Sequence, residues 1–212
     1  DVATVTPIGE VGIIRAKSKG ETVITATLES GGKTISKSTN LRVASKGRDT
    51  VLVLDISGSM YGTPMKEMKE SAIDFCNELL KDEYNNRVGL VFYDHEITSI
   101  DLTNELDSLI DDINSVTDGG RTNMEGAIAA AKDMLDYQGK PDSIKNIVVM
   151  ADGLPNQGAT SDSGAMQMSI NSNYTDTEYA NAVIDTAQVA MQSYNMYSLG
   201  FFHDLDGEEL NF

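Results

Sequence analysis

The sequence predicts an α/β protein: a doubly wound, mostly parallel sheet with helices on both faces, preceded by a small all-β piece. Three observations predict it. From Asp49 onward, short continuous apolar runs alternate with stretches of helical spacing, the pattern of strands covered on both faces and joined by helices. The first 44 residues show only period-two alternation, which belongs to strands. The 212 residues, 40% of them hydrophobic, are enough for one medium domain with a real core and a smaller unit beside it.

In the N-terminal piece, residues 1–44, Val11 to Ala16 reads as a strand and Lys19-Gly20 as a turn. Ile24, Ala26 and Leu28 alternate with Val23, Thr25 and Thr27, and Gly31-Gly32 marks a hairpin before a polar strand from Thr34 to Val43. Residues 45–48 read as a linker. The larger domain, 49–212, opens on the buried strand Thr50-Val51-Leu52-Val53-Leu54. A helix follows, with Met65, Met68, Ala72, Phe75, Cys76 and Leu79 at helical spacing. Val88 to Phe92 is the next strand, and Glu96 to Leu102 a short neighbour. Leu106, Leu109, Ile110 and Ile113 mark a second helix, and Met124 to Tyr137 a third. Ile147 to Met150 is a buried strand, Glu178 to Tyr194 a helix, and Met196 to Phe202 a last strand.

Composition excludes several functions. The formal net charge of −17 leaves no basic face for phosphate, so nucleic acid is not expected as a partner. The single cysteine, Cys76, cannot build a disulfide framework or a multi-cysteine zinc site, and its helical apolar setting makes it a core residue. No run of about 18 apolar residues predicts a membrane span, and no signal peptide opens the chain. His95 and His203 lack metal-ligand spacing. Gly32-Lys33-Thr34 lacks the earlier glycine of a phosphate-binding loop, and the Ser30…Lys33 spacing falls on the hairpin turn.

The chemistry is expected at the carboxyl ends of the central strands, where open α/β sheets place their sites. One strand ends in Asp55 and runs on into Ile56-Ser57-Gly58-Ser59; another ends in Asp152-Gly153; between them, Gly119-Gly120-Arg121-Thr122-Asn123 precedes the third helix. Taken singly, each Asp, Ser or Thr is ordinary helix-cap or turn chemistry. Taken together, Asp55, Ser57, Ser59, Thr122 and Asp152 supply an oxygen-only set from separate loops. Such a set suits a hard divalent cation: Mg²⁺, with Mn²⁺ or Ca²⁺ also accepted.

Asp55-Ile56-Ser57-Gly58-Ser59 matches the D-x-S-x-S signature of von Willebrand factor type A domains, and the Gly119–Asn123 and Ala151–Gly153 stretches resemble that family's second and third loops. The resemblance covers residues 49–212. It implies a metal-ion-dependent adhesion site in which Ser57, Ser59 and Thr122 ligate the cation directly and Asp55 and Asp152 act largely through water. It also implies an open coordination position that takes an acidic side chain of a protein partner. Arg121, inserted between the glycines and Thr122, departs from the usual pattern, as does the long polar stretch Asn156 to Thr177. The family's last helix and edge strand are missing, so the domain is expected to be truncated at its C-terminus.

Residues 1–44 resemble the C-terminal half of a bacterial immunoglobulin-like domain through Ala3-Thr4-Val5, Gly12 to Lys17, Gly20 to Ala26 and Leu41-Arg42-Val43. That resemblance implies a bacterial cell-surface or secreted protein. Three functions compete: a cation-dependent adhesion module, a structural stalk or pilus unit whose metal only stabilises the fold, and a hydrolase with Asp55 as nucleophile. The hydrolase reading is weakened because aspartyl phosphatases need a second acid two residues on, where Ser57 stands.

Overall fold

The computed structural model describes residues 1–9, 11–43, 46–81, 85–153, 155–159, 166–167 and 176–201. His203, the stretch 204–212 and most of the polar stretch after Asn156 lie outside them. The chain divides into two compact units, Asp1–Lys46 and Gly47–Phe212.

The first unit is all β. Strands β1 (Ala3–Ile8) and β2 (Val11–Ala16) form one antiparallel pair, and β3 (Gly20–Ser30) and β4 (Lys33–Val43) another. Ser30 and Lys33 close the second hairpin around Gly31-Gly32, so their spacing is that of a turn. Polar Thr and Ser hydroxyls join across this pair, Thr25 to Ser38 at 2.8 Å and Thr27 to Ser36 at 3.0 Å. The apolar pair Leu28 and Ile35 is 65% and 67% exposed, so among the described residues of this unit nothing packs over that part of the hairpin.

The second unit is built on a five-stranded sheet in the order β11-β8-β5-β6-β7. These are β5 (Arg48–Asp55), β6 (Arg87–Tyr93), β7 (Ile97–Thr103), β8 (Ile144–Ala151) and β11 (Asn195–Gly200). All neighbours are parallel except the edge pair β6–β7. Helices α1 (Thr63–Leu80), α2 (Leu106–Ser115), α3 (Met124–Gln138) and α4 (Asp176–Met191) pack around it, and β9 (Gly158–Ala159) pairs with β10 (Met166–Gln167). The expected last strand ends earlier, at Gly200, and Phe202 lies outside the described residues. Strand Ile97–Thr103 pairs antiparallel because only a short turn separates it from Tyr93, too little chain for a crossover.

The apolar run of β5 splits by parity. Leu52 and Leu54 join Met65, Met68, Ala72 and Cys76 of α1 in one core. Val51 and Val53 join Ala127, Ile128, Ala131 and Leu135 of α3 in the other. Cys76 is fully buried, and burial pushes its thiol up to about 12, so it is a core residue without thiolate character. From β5 the chain crosses to β6 on one side and later returns to β8 on the other. The carboxyl end of β5 is therefore the point where the winding reverses, the place where open α/β sheets put their sites. Among the described residues, no helix is long and apolar enough to cross a membrane.

Candidate functional site

Asp55, Ser57, Ser59 and Asp152 are linked by hydrogen bonds at that strand end, and Thr122 lies in the loop held beside them. Asp55 is the last residue of β5 and is wholly buried; Ser57 and Thr122 are 1% and 4% exposed. Ser59 is exposed and Asp152 half-buried, so these two form the rim above a buried floor. Ser57 Oγ lies 3.1 Å from Ser59 Oγ, and Ser59 Oγ donates to Asp152 Oδ1 at 2.9 Å. The first and third loops thus meet through side chains.

Backbone bonds set the loops against one another. The Gly119 amide donates to the Ile56 carbonyl at 2.9 Å and the Gly58 amide to the Gly120 carbonyl at 3.3 Å, which fixes the second loop beside the first. Gly120 has φ +74°, and a Cβ there would sit 2.5 Å from His95 Nδ1 and 2.6 Å from Asp94 Oδ2. Only glycine fits both the conformation and the space. Asn123 caps α3, its side chain accepting from the Gly126 amide at 3.2 Å, so the capping role falls to Asn123 and Thr122 stands one residue before it.

Asn156 holds Thr122 from the third loop. Its Oδ1 accepts from the Thr122 amide at 2.9 Å, and its own amide donates to the Thr122 carbonyl at 3.1 Å. The Gln157 amide reaches the same carbonyl at 3.2 Å. Sequence reasoning treated Asn156 only as the start of a polar loop. A residue in a loop with this clamp leaves no local spacing to find it by.

Around Asp55 the hydrogen-bond donors carry no charge. Asp55 Oδ1 accepts from the Ser57 amide at 2.8 Å and Oδ2 from the Tyr93 hydroxyl at 3.2 Å. Both donors are neutral. Burial pushes the Asp55 carboxyl up and the negative charge of Asp152 pushes it further, while the bonds from Ser57 and Tyr93 pull it back only in part; it stands at about 6. Among the described residues, no group of three or more His, Cys, Asp or Glu side chains could hold a metal. A cation here would draw on the hydroxyls, oxygen ligands of the kind that suit a hard ion.

Residues 50–154 match the family profile of the von Willebrand factor type A domain. With the sheet order and the three loops in place, the α/β unit belongs to the von Willebrand factor type A family. Among solved structures, the chain is similar to the vWF domain of the type V pili tip protein Mfa5 from Porphyromonas gingivalis. The identity is 26% over 57% of this chain and 43% of that one, with TM-score 0.52. It is also similar in fold to the pilus adhesin SpaC from Lactobacillus rhamnosus GG in its open conformation, at 18% identity over 85% of this chain and 28% of that one, TM-score 0.56. The chain therefore spans less than half the length of each. No curated protein sequence matches it.

Proposed function

We propose that this is a divalent-cation-dependent protein-binding module of a bacterial cell-surface or secreted protein. In this reading Ser57, Ser59 and Thr122 hold Mg²⁺ directly, with Mn²⁺ or Ca²⁺ as substitutes, and Asp55 and Asp152 act through water. The observation that carries it is Asp55: a fully buried carboxylate whose hydrogen-bond donors among the described residues are all neutral, beside a second acid. Burying an anion without a countercharge is costly, and a bound cation would supply that charge.

The chain's own residues account for the rest. Three neutral hydroxyls and two acids leave a divalent ion close to neutralised but no further, so an anionic oxygen competes well with water at an open position. The partner group is then a carboxylate on another protein. A net charge of −17 would repel such a partner at long range, but exposed charges beyond about 8 Å are screened at physiological salt. The similarity to pilus tip proteins supports a cell-surface adhesive role, and a structural pilus or stalk unit is the second reading it supports. No base of the His or Lys type takes part in the contacts around Asp55 and Asp152 described above, which speaks against hydrolysis.

The test is capture of the domain by immobilised extracellular-matrix proteins with Mg²⁺, with EDTA, and with Mg²⁺ restored. The expected result is loss in EDTA and recovery with Mg²⁺, and a Thr122→Ala variant that folds but captures at least about tenfold less. Capture that persists in EDTA would sink the mechanism and favour the structural reading.

A further inference from the structure

Tyr93 and Asp55 end neighbouring parallel strands in direct register. Asp55 has the parity of Val51 and Val53, and Tyr93 packs in the same core as those two residues. Both side chains therefore leave the sheet on the α3 face. Tyr93 is wholly buried among apolar side chains, where phenylalanine would pack equally well. A buried hydroxyl is costly unless it is bonded, and the partner this one has is Asp55 Oδ2, at 3.2 Å.

We infer that Tyr93 is a positioning residue for the cation site, its phenol fixing the rotation of the Asp55 carboxylate. The inference rests on the cation reading above. The Ser57 amide fixes Oδ1 and the Tyr93 hydroxyl fixes Oδ2. Each carboxylate oxygen accepts up to two bonds, so the carboxylate keeps acceptor capacity for the site. The ring cannot swing away, because Tyr93 is enclosed by the same cluster that holds Val53 and Val91. Without the hydroxyl, the carboxylate keeps its bonds from Ser57 but loses the one from the rigidly held Tyr93 ring, and is freer to turn about its bond to the Cβ. Outer hydrogen bonds of this kind are typically worth 10–100-fold in metal affinity.

The experiment compares Tyr93→Phe with Val91→Ala by titration calorimetry with Mg²⁺ and with Mn²⁺, alongside thermal melts in EDTA. Val91 sits on the same strand in the same core but has no polar atom. Tyr93→Phe is expected to weaken both metals by about tenfold or more, with a smaller metal-induced rise in Tm. Val91→Ala is expected to lower the metal-free Tm and leave the Kd of the folded protein unchanged. An unchanged Kd in Tyr93→Phe overturns the inference, and so does an equal loss in both variants, which would mean a general loosening of the core. A parent protein that binds neither metal overturns the cation site itself, a result distinct from either of these.

Discussion

Strand β5 carries an aspartate at each end, and the two differ in everything except burial. Asp49 and Asp55 are both wholly buried. Asp49 accepts from Arg87 Nε at 2.8 Å, from the Lys140 amide at 2.7 Å and from Ser143 Oγ at 2.6 Å. Burial alone would push its carboxyl up, but the bonds from Arg87, Ser143 and Lys140 outweigh that and hold it below the ordinary value. Arg87 in turn donates to the Gln138 carbonyl at 2.8 Å, so the cluster ties β5, β6 and the end of α3 together. Asp55 receives no cation, and its carboxyl stands at about 6. One end of the strand is a finished ion pair that holds the fold; the other is a buried acid bonded by the Ser57 amide and the Tyr93 hydroxyl, both neutral. Buried charges in proteins are paired or coordinate metals; Asp49 shows the first solution, and the proposed cation would make Asp55 an instance of the second.

Breaking the finished end should have the largest effect. Asp49→Ala strands the Arg87 guanidinium, only 19% exposed, and is expected to cost about 3–5 kcal/mol of stability. Chemical denaturation should show this, while the Mg²⁺ affinity of the folded fraction stays unchanged. A loss in both would erase the distinction between the two ends.

Asp55→Ala should do the reverse. Calorimetry should show Mg²⁺ affinity reduced at least about 100-fold, with a cooperative melt retained. Undiminished binding would place the cation elsewhere.

The two acids should also separate with pH. The lowered pKa of Asp49 contributes stability that is present above its unfolded value of about 3.9 and is lost as pH falls through the folded one. Asp55 has the opposite sign. With its folded pKa raised to about 6, ionising it costs metal-free protein stability as pH rises from about 4 to about 6. Cation binding then requires loss of that proton, so affinity should fall by up to about tenfold per pH unit below about 6. Melts in EDTA and Mg²⁺ titrations across this range check both signs, and a pH-independent affinity would remove Asp55 from the site.

The smallest expected effect sharpens the link between the second and third loops. Asn156→Ala removes the acceptor of the Thr122 amide, at about 1 kcal/mol or roughly fivefold in Mg²⁺ affinity. Asn156→Asp keeps an oxygen in that place and should recover it. Equal losses in the two variants would mean that the side-chain bond to Thr122 does not matter.

The order of strands and helices was legible because each has its own period. The parity of Val51, Leu52, Val53 and Leu54 was visible as a buried run, although which residue faced which layer was not. Ser57 and Ser59 stand out in sequence as candidates because they follow Asp55 within one short loop, and Thr122 and Asp152 because their loops carry recognisable neighbours. What escaped was every partner fixed by pairing rather than by proximity in the chain. Tyr93 lies 38 residues from Asp55 and Asn156 lies 34 from Thr122. Nothing local marks either one.

The sequence by itself determined the α/β class, the place of the loops at the ends of β5 and β8, and which oxygen-bearing residues those loops carry. Those are properties of local period and residue type. Only the tertiary structure decided that Asp49 meets Arg87 while Asp55 meets neutral donors. The reason is physical: the β5–β6 register sets Arg87 against Asp49 at one end and Tyr93 against Asp55 at the other, and a carboxylate's charge state follows from what that register brings within hydrogen-bonding reach.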